Sequence, residues 1–157
     1  MVNIAEVVDA IVEKLREIPE LVTEMGGSAD RIFAYHDHYP KRTSLPLAIY
    51  QMPAPSVMVA WQGTAPGNFG ENEAWKHQVA LFLRAGETSD SGAPTAYYRL
   101  FELIVNGVPS STGTRLLYST IHADCYPMDT PSISRETDAE GIDYFEVSIT
   151  LTEIGDR

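Results

Sequence analysis

Two short pairs of residues have the types and spacing that metal chemistry uses. His36 and His38 lie two apart in FAYHDHYPKR (33–42), and His122 and Asp124 repeat that spacing in LLYSTIHADCY (116–126). Residues two apart on a β-strand share a face, so each pair could offer two ligands to one ion. If the two strands were neighbours, four ligands could converge. The competing reading makes both pairs polar residues on half-exposed strands, with Tyr35 and Tyr39 covering the sheet margin. Neither pair sits in a recognised ligand spacing, and the plainer reading is preferred. On that reading YHDHY is a strand end, decorating a sheet margin or a subunit contact, and neither metal nor cofactor is expected.

Two further residues could carry catalysis. His77 falls on the apolar side of WKHQVALFLRA (75–85). A general base there would need a nucleophile and an orienting acid nearby, and otherwise His77 is a core or interface histidine with a satisfied ring nitrogen. Cys125 follows Ile121 and Ala123 on the apolar side of its strand, which suits a small buried hydrophobe better than a thiolate nucleophile. The chain contains no G-x-S-x-G elbow, P-loop, G-x-G-x-x-G or H-E-x-x-H. Glu71, Glu73, Glu87 and Asp90 read as solvated loop charges, with no carboxylate pair singled out for acid–base work. An enzyme is not expected.

The elements that must position these residues follow from periodicity. Ile4, Val7, Val8, Ile11, Leu15 and Ile18 recur at the helical period, with Asn3 as cap, Glu6 completing a capping-box pattern and Pro19 ending the helix near Ile18. EMGGSAD (24–30) reads as a flexible connection. From Arg31 the period changes to two. LPLAIYQM (45–52) and PSVMVAWQG (55–63) read as short strands, the second with Val57, Val59 and Trp61 on one face. MPAP between them permits a turn. QGTAPGNFGENEA (62–74) reads as a long loop joining two strands. In the strand after it Trp75, His77, Val79, Leu81 and Leu83 point one way.

A linker then leads to a second helix in TAYYRLFELIVNG (95–107), with Pro94 at its start and Gly107 past its end. Its buried stripe is Tyr97, Leu100, Phe101 and Ile104. The chain closes with SISRETDAEGIDYFEVSITLTEI (132–154), a hairpin turning at DAEG, in which Phe145, Val147, Ile149 and Leu151 face the core. This order predicts an α+β domain, spanning 1–157. Its sheet is mixed but mostly antiparallel, with about five strands, and its two main helices pack on one face.

Composition narrows the partners. A chain of 157 residues fits one domain with a proper core. Its net charge of −11 argues against wrapping nucleic acid, which needs an excess of Lys and Arg on one face. No apolar run is long enough to span a bilayer, and MVNIAEVVDA lacks the basic start of a signal peptide. One cysteine cannot form an internal disulfide, so a reducing intracellular origin is the default expectation. Trp61, Phe69 and Trp75 bracket the 62–74 segment. Phe69, among Gly, Pro and Asn, is either an exposed anchor for another protein or a ring folded back over the sheet edge.

The layout as a whole resembles the tail terminator proteins of long-tailed, non-contractile bacteriophages. The likeness lies in IAEVVDAIVEKLREIPEL (4–21), LPLAIYQMPAPSVMVAWQG (45–63), WKHQVALFLRA (75–85), TAYYRLFELIVNG (95–107) and FEVSITLTEI (145–154). It is one of order and texture and not of an invariant motif, and related head–tail joining and tail completion proteins share it. The resemblance implies a ring, typically of six subunits, at the head-proximal end of the tail tube. Such a ring halts tube polymerisation and offers a surface to the connector or stopper of the filled head. It implies a protein of the virion tail, present in the host cytoplasm during assembly, with no catalytic residues, and DNA passing through without specific binding. The contact residues expected for subunits or partners are His36, His38, Trp61, Asn68, Phe69, Glu71 and Trp75.

Overall fold

The computed structural model describes residues 2–39, 43–84, 98, 101, 102, 104, 125–127, 132–137 and 143–155. Helix α1 (Ile4–Arg16) starts where Asn3 Oδ1 accepts the Ala5 amide at 3.1 Å. It buries Val7, Val8, Ile11, Val12 and Leu15, the stripe expected from the 3.6-residue period. Full burial contributes about 1.5–3 kcal/mol per side chain. Helix α2 (Pro19–Glu24) follows directly, because Pro19 cannot continue α1 but suits the first turn of a new helix. Gly26 and Gly27, both at positive φ, turn the chain toward the sheet.

Strand β1 (Ile32–Ala34) runs parallel to the start of β2 (Ser56–Phe69), and every other pairing among the described residues is antiparallel. β2 pairs along its length with β3 (Asn72–Arg84), and β3 pairs with β6 (Asp143–Ile154). Beyond β6, two short strands share one position. β4 (Cys125–Pro127) lies against residues 151–153 and β5 (Ser132–Thr137) against residues 143–148. The six described strands thus occupy five positions across a mixed, mostly antiparallel sheet, and the domain is α+β.

The sheet is apolar on both faces. On one, Val57, Val59, Val79, Leu81, Leu83, Phe145, Val147, Ile149 and Leu151 pack against α1, α2 and Cys125. Tyr98, Phe101, Glu102 and Ile104 are helical, and Phe101 and Ile104 pack on this same face, where the second helix was expected. Tyr97, Leu100, Pro94, Gly107 and the DAEG turn lie outside the described residues. On the opposite face Phe33, Met58, Ala60, Ala80 and Phe82 meet helix α4 (Leu45–Gln51) through Ala48, Ile49 and Met52.

Helix α4 corrects the strand expected over 45–52. Ser44 Oγ accepts the Leu47 amide, and Pro46 falls in the first turn, where its missing N–H costs nothing. Ala48, Ile49 and Met52 then recur at helical spacing. A short apolar run satisfies either period, and here the cap decides.

The 62–74 segment is also corrected, since it is no loop. β2 continues through Phe69 and returns in β3 from Asn72, so only Gly70 and Glu71 make the turn. Gly70 has φ 61°, the positive value that the first position of a type II′ turn requires. The register shifts between Trp61 and Gly63, so that Gln62 is an extra residue. This bulge moves the even-numbered residues of the outer hairpin onto the α1 face, leaving Trp61 and Thr64 on the same side. Proline and glycine are tolerated because beyond Val59 β2 pairs only with β3, and no second described strand lies on its other edge.

Candidate functional site

FAYHDHYPKR does not end as a strand. β1 stops at Ala34 and the chain enters α3 (Tyr35–His38), a single helical turn closed by the Tyr39 amide on the Tyr35 carbonyl at 3.2 Å. Residues two apart in a helix point to different sides, so His36 and His38 diverge and form no joint ligand pair. His38 stacks on Phe33 with ring centroids 4.1 Å apart and meets Tyr39 edge-on. His36 turns to α1 instead, where its Nε2 lies 3.1 Å from Asp9 Oδ1 and 3.4 Å from Asp37 Oδ1. His122 and Asp124 lie outside the described residues. Burial raises the Asp9 carboxyl above its ordinary value, the neighbouring Asp37 adds to this, and His36 opposes it.

His77 has both of the neighbours that catalysis would require. It is fully buried, with Nδ1 2.8 Å from Thr64 Oγ1 and Nε2 3.0 Å from Glu153 Oε1. An ionised Glu153 only accepts, so Nε2–H donates to it. The chain of bonds continues at both ends. Trp61 Nε1–H donates to Thr64 Oγ1 at 3.0 Å, and the Val2 amide donates to Glu153 Oε2 at 2.8 Å. An exposed indole is thereby linked through β2, β3 and β6 to the segment preceding α1. The register explains the meeting, since Thr64 pairs with His77, and Glu153 pairs with Trp75 on the same face. The ring is sealed from solvent and the hydroxyl already accepts from Trp61. The arrangement therefore locks the outer hairpin to the N-terminal segment, and His77 is the satisfied buried histidine that the sequence favoured.

The remaining expected contact residues gather on the outer hairpin. Trp61, Asn68, Phe69 and Glu71 are exposed and Trp75 is half-buried. Trp61 and Phe69 expose 48% and 38% of their surface, large values for side chains of this size. At about 3.3 Å per residue, stretch 60–69 runs about 30 Å. No described strand pairs with its outer edge. Gly67 sits opposite Ala74, and a Cβ there would come within 2.8 Å of Lys76 Cγ, so glycine makes room for the lysine stem. Lys76 Nζ in turn donates to Thr152 Oγ1 at 2.9 Å, tying the arm to β6.

Asp9, Thr64 and Glu153 were missed as partners of the histidines. The only sequence signal for Glu153 was a carboxylate on a strand otherwise alternating cleanly, and Asp9 carried none beyond its place on a polar helix face. No protein-family model matches the chain, and no curated protein does.

Proposed function

We propose that this chain is a ring-forming assembly protein of the phage tail, a tail terminator that caps the tube and meets the head connector. The observation that carries the reading is the outer β2–β3 hairpin, a rigid arm with Trp61 and Phe69 exposed and a long strand edge along one side. Strand edges invite pairing with another chain, and exposed aromatics are the residues that anchor protein contacts. An edge on one side of the sheet meeting a different patch on the next copy is a heterologous contact, the type that closes into rings. The net charge of −11 fits a lumen that DNA must traverse without sticking. The likeness in sequence layout to tail terminators adds the identity of the partners, namely the major tail protein and the connector or stopper.

The test is the mass of the purified protein by light scattering, alone and mixed with the major tail protein, with negative-stain imaging. A ring, or tubes of limited length with capped ends, is expected. A monomer that neither binds nor caps tubes overturns the reading.

A further inference from the structure

Asp9, His36 and Asp37 offer one ligand atom each, all within 4.8 Å of one another. The set is drawn from two elements that the core holds in place. α1 is pinned to β1 where Arg16 Nε donates to the Ile32 carbonyl at 2.9 Å, and α3 is fixed by the stacking of His38 on Phe33. Both carboxylates approach the same imidazole nitrogen, at 3.1 and 3.4 Å. A single N–H can be donated well to one of them, which leaves the other carboxylate facing a neighbour of like charge.

A cation resolves that conflict. With Zn–N and Zn–O bonds of about 2.0–2.2 Å, the edge of a tetrahedral site is about 3.3–3.5 Å. Two edges of the triangle already stand near that length. The third, between the carboxylates, closes by rotation of exposed side chains. We propose that Asp9, His36 and Asp37 form a binding site for a divalent transition cation of the zinc or cobalt class, tying α1 to α3. An imidazole nitrogen among the ligands selects that class over magnesium or calcium. Three protein ligands leave the remaining position to water or to a donor from another molecule. Binding needs His36 neutral with its proton on Nδ1, so that Nε2 holds the ion. A cleft of about 500 Å³ opens beside the triangle, and Glu13, Asp30, Arg16 and His38 line it together with Asp9 and Asp37. The cleft gives the ion a way in.

The experiment uses the full chain stripped of metal with EDTA. Zn²⁺ binding is followed by calorimetry and Co²⁺ binding by visible absorption. One-to-one binding is expected, weakened at least tenfold by Asp9→Asn or His36→Gln and changed less than twofold by Glu24→Gln or Glu136→Gln, exposed acids outside the triangle and the cleft. Far-UV circular dichroism checks that each variant folds. As a readout without variants, Co²⁺ should broaden the His36 ring signals in the wild-type protein before those of His38 and His77. Absence of one-to-one binding overturns the proposal, as does binding that survives both Asp9→Asn and His36→Gln. Binding lost on His122→Gln instead also overturns it.

Discussion

Replacing Glu153 with alanine tests the bond chain that holds the hairpin arm. The change removes the acceptor for two donors, His77 Nε2–H at 3.0 Å and the Val2 amide at 2.8 Å. His77 is fully buried, so its orphaned donor finds no water. A buried donor left unsatisfied costs about 1–3 kcal/mol. The Val2 bond is only partly buried and adds less. Glu153→Ala should therefore destabilise the fold by roughly 2–4 kcal/mol. In a chain of this length that lowers Tm by roughly 4–16 °C. Glu153→Gln keeps one acceptor oxygen for two donors and should lose about 1–3 kcal/mol. Urea unfolding, followed by tryptophan fluorescence and circular dichroism, gives the stabilities. A double-mutant cycle with His77→Leu should show a coupling of about 1–3 kcal/mol. A Glu153→Ala cost below about 1 kcal/mol, or strict additivity with His77→Leu, would refute the reasoning.

Trp61→Ala and Phe69→Ser act on exposed rings and should each cost the isolated protein less than about 1 kcal/mol, while abolishing ring formation or tube capping in light scattering. Unimpaired assembly in the double variant would remove the arm from the interface. Phe82→Ala empties a buried site between α4 and Tyr144 and should cost about 3–5 kcal/mol by urea unfolding. Burial raises the Tyr39 phenol above 10.0, with Arg84 opposing. A group whose proton is held more tightly when folded stabilises the fold below the unfolded value and loses that contribution as pH rises through the folded one. Tyr39→Phe should therefore flatten the fall in urea midpoint above pH 10.0, and an unchanged alkaline limb would count against the assignment.

The long elements were legible because each shows one face to the core over many residues. The α1 stripe, the alternation of β3 from His77 to Leu83 and that of β6 from Phe145 to Leu151 all stand as the periodicity implied. Short elements were not legible. LPLAIYQM has too few residues for the helical and strand periods to differ, and its Ser44 cap and Pro46 carried the only distinction. YHDHY lost its strand identity because β1 has three residues and the chain must leave the sheet at once. In GTAPGNFGENEA the glycines and Pro66 suggested a loop, but Gly70 is the turn of a two-residue hairpin, and the others sit on a strand where β2 lacks a second described neighbour.

From the residues alone came the α+β class, the principal core and the bland expectation for His77. Tertiary structure alone decided which polar groups meet. His77 and Glu153 are 76 positions apart and join only because β3 and β6 run antiparallel in one register. His36 meets Asp9 because α1 crosses β1 where α3 begins, and a helical turn aims the ring there while turning His38 away. Burial of apolar surface leaves its period in the sequence because it acts on every turn or every second residue. A single hydrogen bond or ligand pair acts on two points of the chain, and nothing local marks either one.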